Sequence, residues 1–398
     1  MDLTEKEPRV TDYSIKDKVA IVGIGETQYY KAGQAPVSEF QLALEAIQKA
    51  VADAGLRVED IDGFASYSDD RNDPTRLAAA LGIPQIQFSN MHWGGGGGGM
   101  AGAVGNAAAA IVAGYAKHVV AFRALAQGQF GRFGQGHAGA RVRGAAAYTA
   151  PYGLMSPAQM FAMRTQRFMY EHHIGQEALC AISLASYTHA QRNPRAVMYG
   201  RPLTREAYYN SRWIVEPFHL FDCCQENDGA AAVVLTRSDR ARDLSRKPIY
   251  LMAAAQGTGY RQWATAHNDP DYATSNFKTL APRLFDMAGI SPKDVDVAQI
   301  YENFTGGVLM SIVEHGFCDA DEAEQFCTGG NLEWTNGKLP INTSGGNLAE
   351  SYMHGLELVL EGVRQLRGDS TCQVKDAQVC LIAAGPMVSP VSNLLLRN

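Results

Sequence analysis

At 398 residues the chain exceeds one ordinary hydrophobic core, so two fused domains or one large α/β unit is expected. Its 46% hydrophobic and 19% charged residues exclude a disordered chain, and its net charge of -6 argues against nucleic acid as the main partner. The sequence shows no basic and apolar leader, no apolar run of membrane-spanning length and no zinc-type spacing among its seven cysteines, so we expect a cytoplasmic protein with free thiols and no metal.

Alternating strands and helices are predicted for the first half of the chain. A buried strand at 18–25 ends in a glycine turn, and apolar residues at helical spacing predict a helix over 39–54 with Gly55 as its stop signal. The next elements are a strand at 63–67, a short helix at 73–81 capped by Asp73, a strand at 85–88, a helix at 100–115 that follows the glycines at 94–99, and strands at 118–122 and 229–235.

A different pattern interrupts these elements between residues 126 and 228. Glycine-rich loops at 128–139 lead into helices rich in Met, Tyr and Arg, among them 160–164 and 179–192. A long insertion of this kind usually shapes a substrate pocket. The adjacent Cys223 and Cys224 in this region are interpreted as small apolar core residues.

The second half repeats the alternation. Its predicted elements are a strand at 248–252, a helix at 279–288, a strand at 297–300, a turn at 342–346, a helix at 356–366 and a strand at 379–382. Such alternation indicates mainly parallel sheets covered on both faces. The helices at 100–115 and 356–366 are small or apolar over most of their surface, which predicts a buried central layer.

One short sequence occurs twice. AGLRVEDID at 54–62 returns as AGISPKDVD at 288–296, and each copy follows a helix-like stretch and leads into a strand-like one. Further on, each half has a glycine-rich turn that opens a helix. The repeat predicts two similar halves, 1–246 and 247–398, the first of which carries the insertion at about 126–228.

Three motifs resemble those of the thiolase superfamily, in its lipid-transfer-protein or sterol-carrier branch. NTSGGNLAESYMHG at 342–355 resembles NTSGG…GHPxG, YENF at 301–304 resembles HDxF, and DGAAA at 228–232 resembles the strand of the same sequence. The resemblance implies a duplicated α/β thiolase fold with five layers, α/β/α/β/α. Laid on these motifs, Tyr352 falls on the catalytic histidine of the family and Tyr301 on the first residue of HDxF.

Both cysteines on which a thiolase depends are missing from their expected places. The nucleophilic cysteine lies at a strand-to-helix turn near NxxCxSG, where this chain has FSNMHWGG at 88–95, with His92 or Trp93 at the cysteine position. The acid–base cysteine of CxGGG is replaced by IAAGP at 382–386, and Cys380 is displaced into the strand.

A retro-aldol reaction is consistent with this loss. Thiolysis needs a nucleophile that carries an acyl group, whereas cleavage of a β-hydroxyacyl thioester makes the same enolate without acyl transfer. One group must take the hydroxyl proton and another must return a proton to Cα. Tyr301 and Tyr352 are the predicted pair, with Tyr352 favoured as the base because of the histidine whose place it takes. The candidates for stabilising phenolate or enolate are His92, His354 and the amides of Gly345 and Gly346.

With both cysteines missing and tyrosines at 301 and 352, the chain resembles most the bacterial steroid side-chain-cleaving aldolases. This resemblance implies cleavage of a 17-hydroxy steroid with a C20 carboxyl-CoA side chain to a 17-ketosteroid and propionyl-CoA. It implies no cofactor beyond the CoA of the substrate. It also implies a homodimer core on which the OB-like domain of an enoyl-CoA hydratase subunit docks.

Other interpretations of the same residues stay open. The chain is alternatively a thiolase or acyltransferase that uses another cysteine, or a non-catalytic lipid carrier with a thiolase fold. The glycine run, Gly94–Gly99, lacks the lysine of a GxxxxGK[ST] phosphate loop, so close packing or an oxyanion site is favoured. The tyrosines also fit ordinary half-buried aromatics, and His92 fits a packing residue. Arg132, Arg141 and Arg143 fit either CoA phosphates or a solvated loop.

Overall fold

The computed structural model describes residues 15–68, 70–94, 96–130, 142–262 and 267–398. Arg132 and Arg141, for which contacts with CoA phosphates were considered, lie outside the described residues, as does most of the glycine-rich loop at 128–139. Arg143 is described and is exposed. None of the described helices is both long and apolar enough to cross a membrane.

The first half alternates strands and helices, as predicted. It contains β1 (Val19–Glu26), α1 (Glu39–Ala54), β2 (Gly63–Tyr67), α2 (Pro74–Leu81), β3 (Phe88–His92), α3 (Met100–Val112), β4 (His118–Ala126) and β5 (Asn227–Arg237). Between β4 and β5 the insertion forms α4 (Pro157–Glu171) and α5 (Gln176–Ala190), followed by short elements at Arg205–Tyr209, Trp213–Val215 and Phe218–His219.

Capping residues set the ends of the first two helices. The Ser38 side chain accepts a hydrogen bond from the Gln41 amide (3.2 Å) at the start of α1, and Gly55 ends that helix with a φ of 72°. Asp73 caps α2 by accepting a hydrogen bond from the Thr75 amide (2.7 Å). Gly55 and Asp73 are the residues that the sequence predicts at these positions, whereas the Ser38 cap is not predicted.

The second half has the same alternation. It contains β6 (Ile249–Gly257), α6 (Leu280–Ala288), β7 (Val297–Ile300), α7 (Thr305–Glu314), α8 (Leu356–Arg367), β8 (Val379–Ala384) and β9 (Val391–Arg397), with short helices at Ala323–Thr328 and Gly346–Ala349.

The strands follow the same order in both halves. The sequence of neighbours is β3-β2-β4-β5-β1-β6-β9-β8-β7, and β1 meets β6 through only two residue pairs. The last strand of each half, β5 or β9, lies antiparallel between its neighbours, while β2 pairs in parallel with β3 and β4, and β7 with β8. The prediction of mainly parallel sheets is therefore wrong, because the alternation of elements does not reveal where the final strand inserts. The boundary near residue 246, which falls between β5 and β6, stays a prediction.

Two helices form a buried layer between the two runs of strands, as predicted. Val104 of α3 and Val359 of α8 belong to one hydrophobic cluster with Leu235 of β5 and Leu394 of β9. Helix α1 covers the other face of β1, β4 and β5, and α6 covers the other face of β6 and β9. The result is an α/β/α/β/α layering in which both runs of strands pack on the central helices.

Two strands differ from the sequence prediction. Strand β3 lies at 88–92 and not at 85–88, because it pairs with β2 in parallel from Gly63–Phe88 to Tyr67–His92. His92 therefore ends the strand and does not lie in the turn that follows it. Strand β9, which the sequence analysis does not predict, is completely buried up to its last residue and pairs with both β6 and β8.

Candidate active site

Two tyrosines from separate loops of the second half meet in the interior. Tyr301 directly follows β7, where its amide donates to the carbonyl of Ala383 (2.9 Å), and the Tyr352 amide donates to the side chain of Asn227 (2.9 Å). The two hydroxyl oxygens lie 2.7 Å apart, with Tyr301 donating, and the ring centroids are 6.0 Å apart. Only 1% of Tyr301 and 7% of Tyr352 is exposed. The sequence-predicted acid–base pair is thus in direct contact.

The glycine run lies against this pair and requires glycine for steric reasons. A Cβ atom on Gly97 would lie 2.0 Å from the Tyr301 ring, and one on Gly98 would lie 2.5 Å from the Pro390 carbonyl oxygen. A Cβ on Gly355 would lie 2.6 Å from the same Tyr301 ring. Close backbone packing therefore explains Gly97 and Gly98, and the Tyr301 ring contacts two glycine backbones.

Burial keeps both tyrosines protonated. It raises the pKa of Tyr301 well above its usual value, and the neighbouring Tyr352 raises that pKa further. Burial also raises the pKa of Tyr352, as does Cys224, while the hydrogen bond from Tyr301 acts in the opposite direction. Of the two tyrosines, Tyr352 is the one whose phenolate would be stabilised, because the Tyr301 hydroxyl donates to its oxygen.

His354 lies beside Tyr352, and its ring is neutral. The two rings meet edge to face with centroids 5.3 Å apart, and 2% of His354 is exposed. Burial, and then the nearby cations Arg123 and Arg71, lower the pKa of His354 well below its usual value. A neutral imidazole carries one N–H, so His354 fits a donor to a developing oxyanion but not a cationic acid.

The two glycines of the NTSGG turn accommodate a buried carboxyl group. Gly345 and Gly346 have positive φ angles of 112° and 55°, and a Cβ on Gly346 would lie 1.9 Å from a Glu302 oxygen. That oxygen accepts a hydrogen bond from the Asn347 amide (2.8 Å), while the Gly345 amide donates to the Asn342 carbonyl (2.9 Å). The amide of Gly345 is thus engaged within the turn, and the predicted oxyanion role of the two glycines stays a prediction.

Buried carboxyl groups around this turn were not predicted. Glu357, at the start of α8, accepts hydrogen bonds from the Met353 amide (3.2 Å) and the Asn347 side chain, and its second oxygen has no hydrogen-bond partner among the described residues. Burial raises the pKa of Glu357 well above its usual value, which keeps the carboxyl neutral. A sequence signal existed, because Glu357 and Glu361 are acidic residues four apart in a helix that the sequence predicts to be buried.

His92 lies apart from the tyrosine pair. Its ring lies against α3, where a Cβ on Gly102 would come 2.5 Å from it, and its side chain hydrogen-bonds that of Gln256 on β6. Burial lowers the pKa of His92, and the bond with Gln256 opposes this shift. The predicted supporting role of His92 therefore rests on its sequence position and not on a contact with either tyrosine.

One cysteine lies close to the pair, and it is not Cys380. Cys224 is half-buried, its amide donates to the Asn303 carbonyl (3.1 Å), and its charge would raise the pKa of both tyrosines. Burial raises the pKa of Cys224 to about 12, so the thiol is not a thiolate at neutral pH. Cys380 is completely buried inside β8.

The insertion forms an open cavity of about 860 Å³ along the exposed side of α4. Aromatic and methionine side chains line it, including Tyr148, Tyr152, Met163 and Tyr170. The buried face of α4 contacts the loop that begins with Tyr301, since the ring centroids of Phe161 and Phe304 are 5.7 Å apart. A cavity of this size and chemistry suits an extended apolar ligand.

Comparison with known proteins identifies the family. Residues 259–397 match the family described as Thiolase C-terminal domain-like. The chain is 40% identical over 389 residues to the steroid side-chain-cleaving aldolase of Thermomonospora curvata, covering 95% of this chain and 97% of that protein. It is also 40% identical over 391 residues to the 17-hydroxy-3-oxo-4-pregnene-20-carboxyl-CoA lyase of Mycobacterium tuberculosis, covering 96% of this chain and all of that protein. The chain belongs to the steroid side-chain-cleaving aldolases.

Solved structures agree with this assignment. The structure titled Ltp2-ChsH2(DUF35) aldolase superposes with a TM-score of 0.89 at 38% identity, covering 97% of this chain and 99% of that one. Human mitochondrial 3-ketoacyl-CoA thiolase superposes with a TM-score of 0.68 at 14% identity, which shows the fold alone. This aldolase therefore has the thiolase fold that its motifs imply.

Proposed function

We propose that this aldolase cleaves a 17-hydroxy steroid whose C20 carboxyl group is joined to CoA, giving a 17-ketosteroid and propionyl-CoA. The observation that carries the proposal is the 2.7 Å contact between the hydroxyl groups of Tyr352, which falls on the catalytic histidine of the thiolase motif, and Tyr301, which falls on the first residue of HDxF. The substrate is the one that the name of the Mycobacterium tuberculosis relative states for that protein.

The reaction requires one proton to move from oxygen to carbon. The C17–C20 bond breaks, its electron pair becomes the thioester enolate, and the 17-hydroxyl loses its proton as the ketone forms. For this step the Tyr301 hydroxyl turns from Tyr352 towards C20, and the Tyr352 hydroxyl turns to donate to Tyr301. Tyr352 then takes the proton of the 17-hydroxyl on its oxygen while passing its own proton to Tyr301, and Tyr301 protonates C20. Both tyrosines begin and end neutral, so no free phenolate is needed despite the raised pKa of each.

The enolate oxygen needs a donor that is oriented before the reaction. The neutral ring of His354, 5.3 Å from the Tyr352 ring, is the side chain that we assign to this role. The amide of Gly346 is also assigned to this role, whereas Gly345, whose amide donates to the Asn342 carbonyl, shapes the turn. The aromatic cavity of the insertion would hold the steroid, and no cofactor beyond the substrate's CoA is required.

The assembly is proposed to be a homodimer with a second type of subunit. Among the described residues, strand β3 has a neighbour on one side only, and an unpaired edge of this kind favours pairing with a second copy. The similar solved structure is titled as a complex with ChsH2(DUF35), which supports a partner that carries an OB-like domain.

The decisive experiment follows both products. The purified chain, alone and with its partner, is incubated with 17-hydroxy-3-oxo-4-pregnene-20-carboxyl-CoA without free CoA. We expect equal amounts of 17-ketosteroid and propionyl-CoA, and in D₂O one deuterium at Cα of the propionyl group. Cleavage that requires added CoA, or a second acyl-CoA formed in place of the 17-ketosteroid, would instead show thiolysis.

A further inference from the structure

A third tyrosine, contributed by the first half, contacts the active-site turn. Tyr67 is the last residue of β2, and its ring is completely buried. Its hydroxyl donates to the carbonyl of His354 (3.1 Å) and approaches that of Met353 (3.4 Å). These are the two peptide groups that directly follow Tyr352, although they lie 286 and 287 positions from Tyr67 in the sequence.

The turn that Tyr67 contacts has an uncommon backbone conformation. His354 and Gly355 have consecutive positive φ angles of 52° and 90°. A histidine in the left-handed region is unfavourable without support from surrounding contacts. The hydroxyl of Tyr67 satisfies carbonyl groups of this turn, and no solvent is available to replace it because the turn is buried.

Tyr67 is itself fixed from three directions. Arg123 donates to the Tyr67 carbonyl (2.7 Å) and forms an ion pair with Asp70 (3.2 Å) in which both side chains are at most 1% exposed. The Arg123 guanidinium also lies 5.4 Å from the centre of the Tyr67 ring. On the other side, a Cβ on Gly99 would lie 2.5 Å from that of Tyr67, so the glycine run allows the ring to approach.

We infer that Tyr67 is a positioning residue that holds Tyr352 in register with Tyr301 by fixing the turn at residues 353–355. The link runs from Tyr67 through the His354 peptide to Tyr352, whose ring packs edge to face on the His354 ring. Because Tyr67 belongs to the first half and both catalytic candidates to the second, the active-site geometry depends on the fit between the halves. This inference rests on the proposed role of Tyr352.

The test is a double-mutant cycle in the full-length chain with 17-hydroxy-3-oxo-4-pregnene-20-carboxyl-CoA as substrate. Tyr67→Phe removes one oxygen, and we expect kcat to fall about 10-fold with KM changed less than about 2-fold, as for a lost buried hydrogen bond at a reacting group. The same substitution in a Tyr352→Phe background should lower the residual rate less than about 2-fold, because it acts through Tyr352. Tyr208→Phe is the control, since it removes an equally buried hydroxyl that bonds Asp222 (2.7 Å), and it should leave kcat unchanged.

Each outcome decides between the inference and the proposed function. The positioning role is overturned if Tyr67→Phe has the wild-type kcat, or if it lowers kcat equally in both backgrounds. In that case a strongly reduced kcat of Tyr352→Phe still supports the proposed function. A fully active Tyr352→Phe overturns the proposed proton path and the inference with it. If Tyr67→Phe does not fold, Arg123→Lys tests the same link, because it removes the guanidinium bond to the Tyr67 carbonyl and should lower kcat in the wild-type background only.

Discussion

The hydroxyl oxygens of Tyr301 and Tyr352 lie 2.7 Å apart, although 51 positions separate the two residues in the sequence. Tyr301 follows a strand and Tyr352 lies in a glycine-rich turn. The backbone of the glycine run packs directly on the Tyr301 ring, where a residue with a side chain would clash. Two neutral phenols in contact can pass a proton in a single relay, in which each accepts one proton and gives up another. The predictions below follow from this pair and from the layers that hold it.

Removal of either hydroxyl should abolish most of the turnover. Tyr301→Phe and Tyr352→Phe should each lower kcat about 10²–10⁴-fold, the usual contribution of a general acid–base group. The double variant should be little slower than either single variant, because the relay needs both oxygens. Rates are measured from propionyl-CoA release, and circular dichroism establishes that each variant is folded. If both single variants keep near-full turnover, the proton path runs elsewhere and His92 is the next residue to test.

The cysteines should be dispensable for cleavage. Cys224→Ala should keep turnover within about 3-fold of wild type, because burial raises the pKa of that thiol to about 12 and the proposed step forms no acyl-enzyme. Cys380→Ala, inside β8, should likewise retain its rate. The same samples are assayed for CoA-dependent thiolysis of a 3-ketoacyl-CoA. Loss of both activities in Cys224→Ala alone would favour a thiolase that uses Cys224 as its nucleophile.

The sequence predicts the elements well and their pairing poorly. Apolar periodicity and the predicted end residues place α1 and α2 correctly, because Gly55 and Asp73 act on residues within one turn of themselves. Pairing partners lie far apart in the sequence, so the antiparallel insertion of β5 and β9 and the shift of β3 to 88–92 are set by tertiary contacts that no local pattern encodes.

The candidate site divides in the same way. Motif positions suffice to single out Tyr301 and Tyr352, but only the fold shows that their hydroxyl groups touch. Tyr67 and Cys224 do not belong to the motifs that identify the pair. Each comes close to the pair from another part of the chain, which only the fold reveals. His92 occupies the expected position in the sequence, yet its side chain packs on α3 and Gln256, since it ends a strand and does not lie in the following turn.

The buried Glu302 should make stability depend on pH. Burial raises the pKa of this carboxyl group from 4.5 to about 7, so the folded chain retains a proton that the unfolded chain has lost. Its stabilising contribution is present below about pH 4.5 and is lost as the pH rises through 7, an effect on the order of 3 kcal/mol. Glu302→Gln, which cannot ionise, should show a smaller fall in unfolding free energy between pH 5 and 8 by urea denaturation. Parallel pH profiles for the two proteins would contradict this prediction.

A charge on the outer strand β3 should separate the proposed homodimer. Within the part of the chain that the structure describes, this strand pairs only with β2. Its residues Ser89 and Met91 are exposed, and the exposed fraction of Met91 is 46% in the single chain. Trp93, the next residue after the strand, is 90% exposed, so apolar surface and unpaired backbone groups occur together at this edge.

In the expected dimer, two copies of β3 pair around a two-fold axis. This places Met91 of one copy near Met91, or a residue adjacent to it, in the second copy. Met91→Lys would bury like charges there, so sedimentation should show the variant as a monomer at concentrations where wild type is a dimer. Met163→Lys is the matched control, because Met163 is 53% exposed but lies on α4, and it should remain dimeric. A dimer that withstands Met91→Lys uses another surface, and a wild-type chain that is monomeric at every concentration would show that β3 does not mediate self-association.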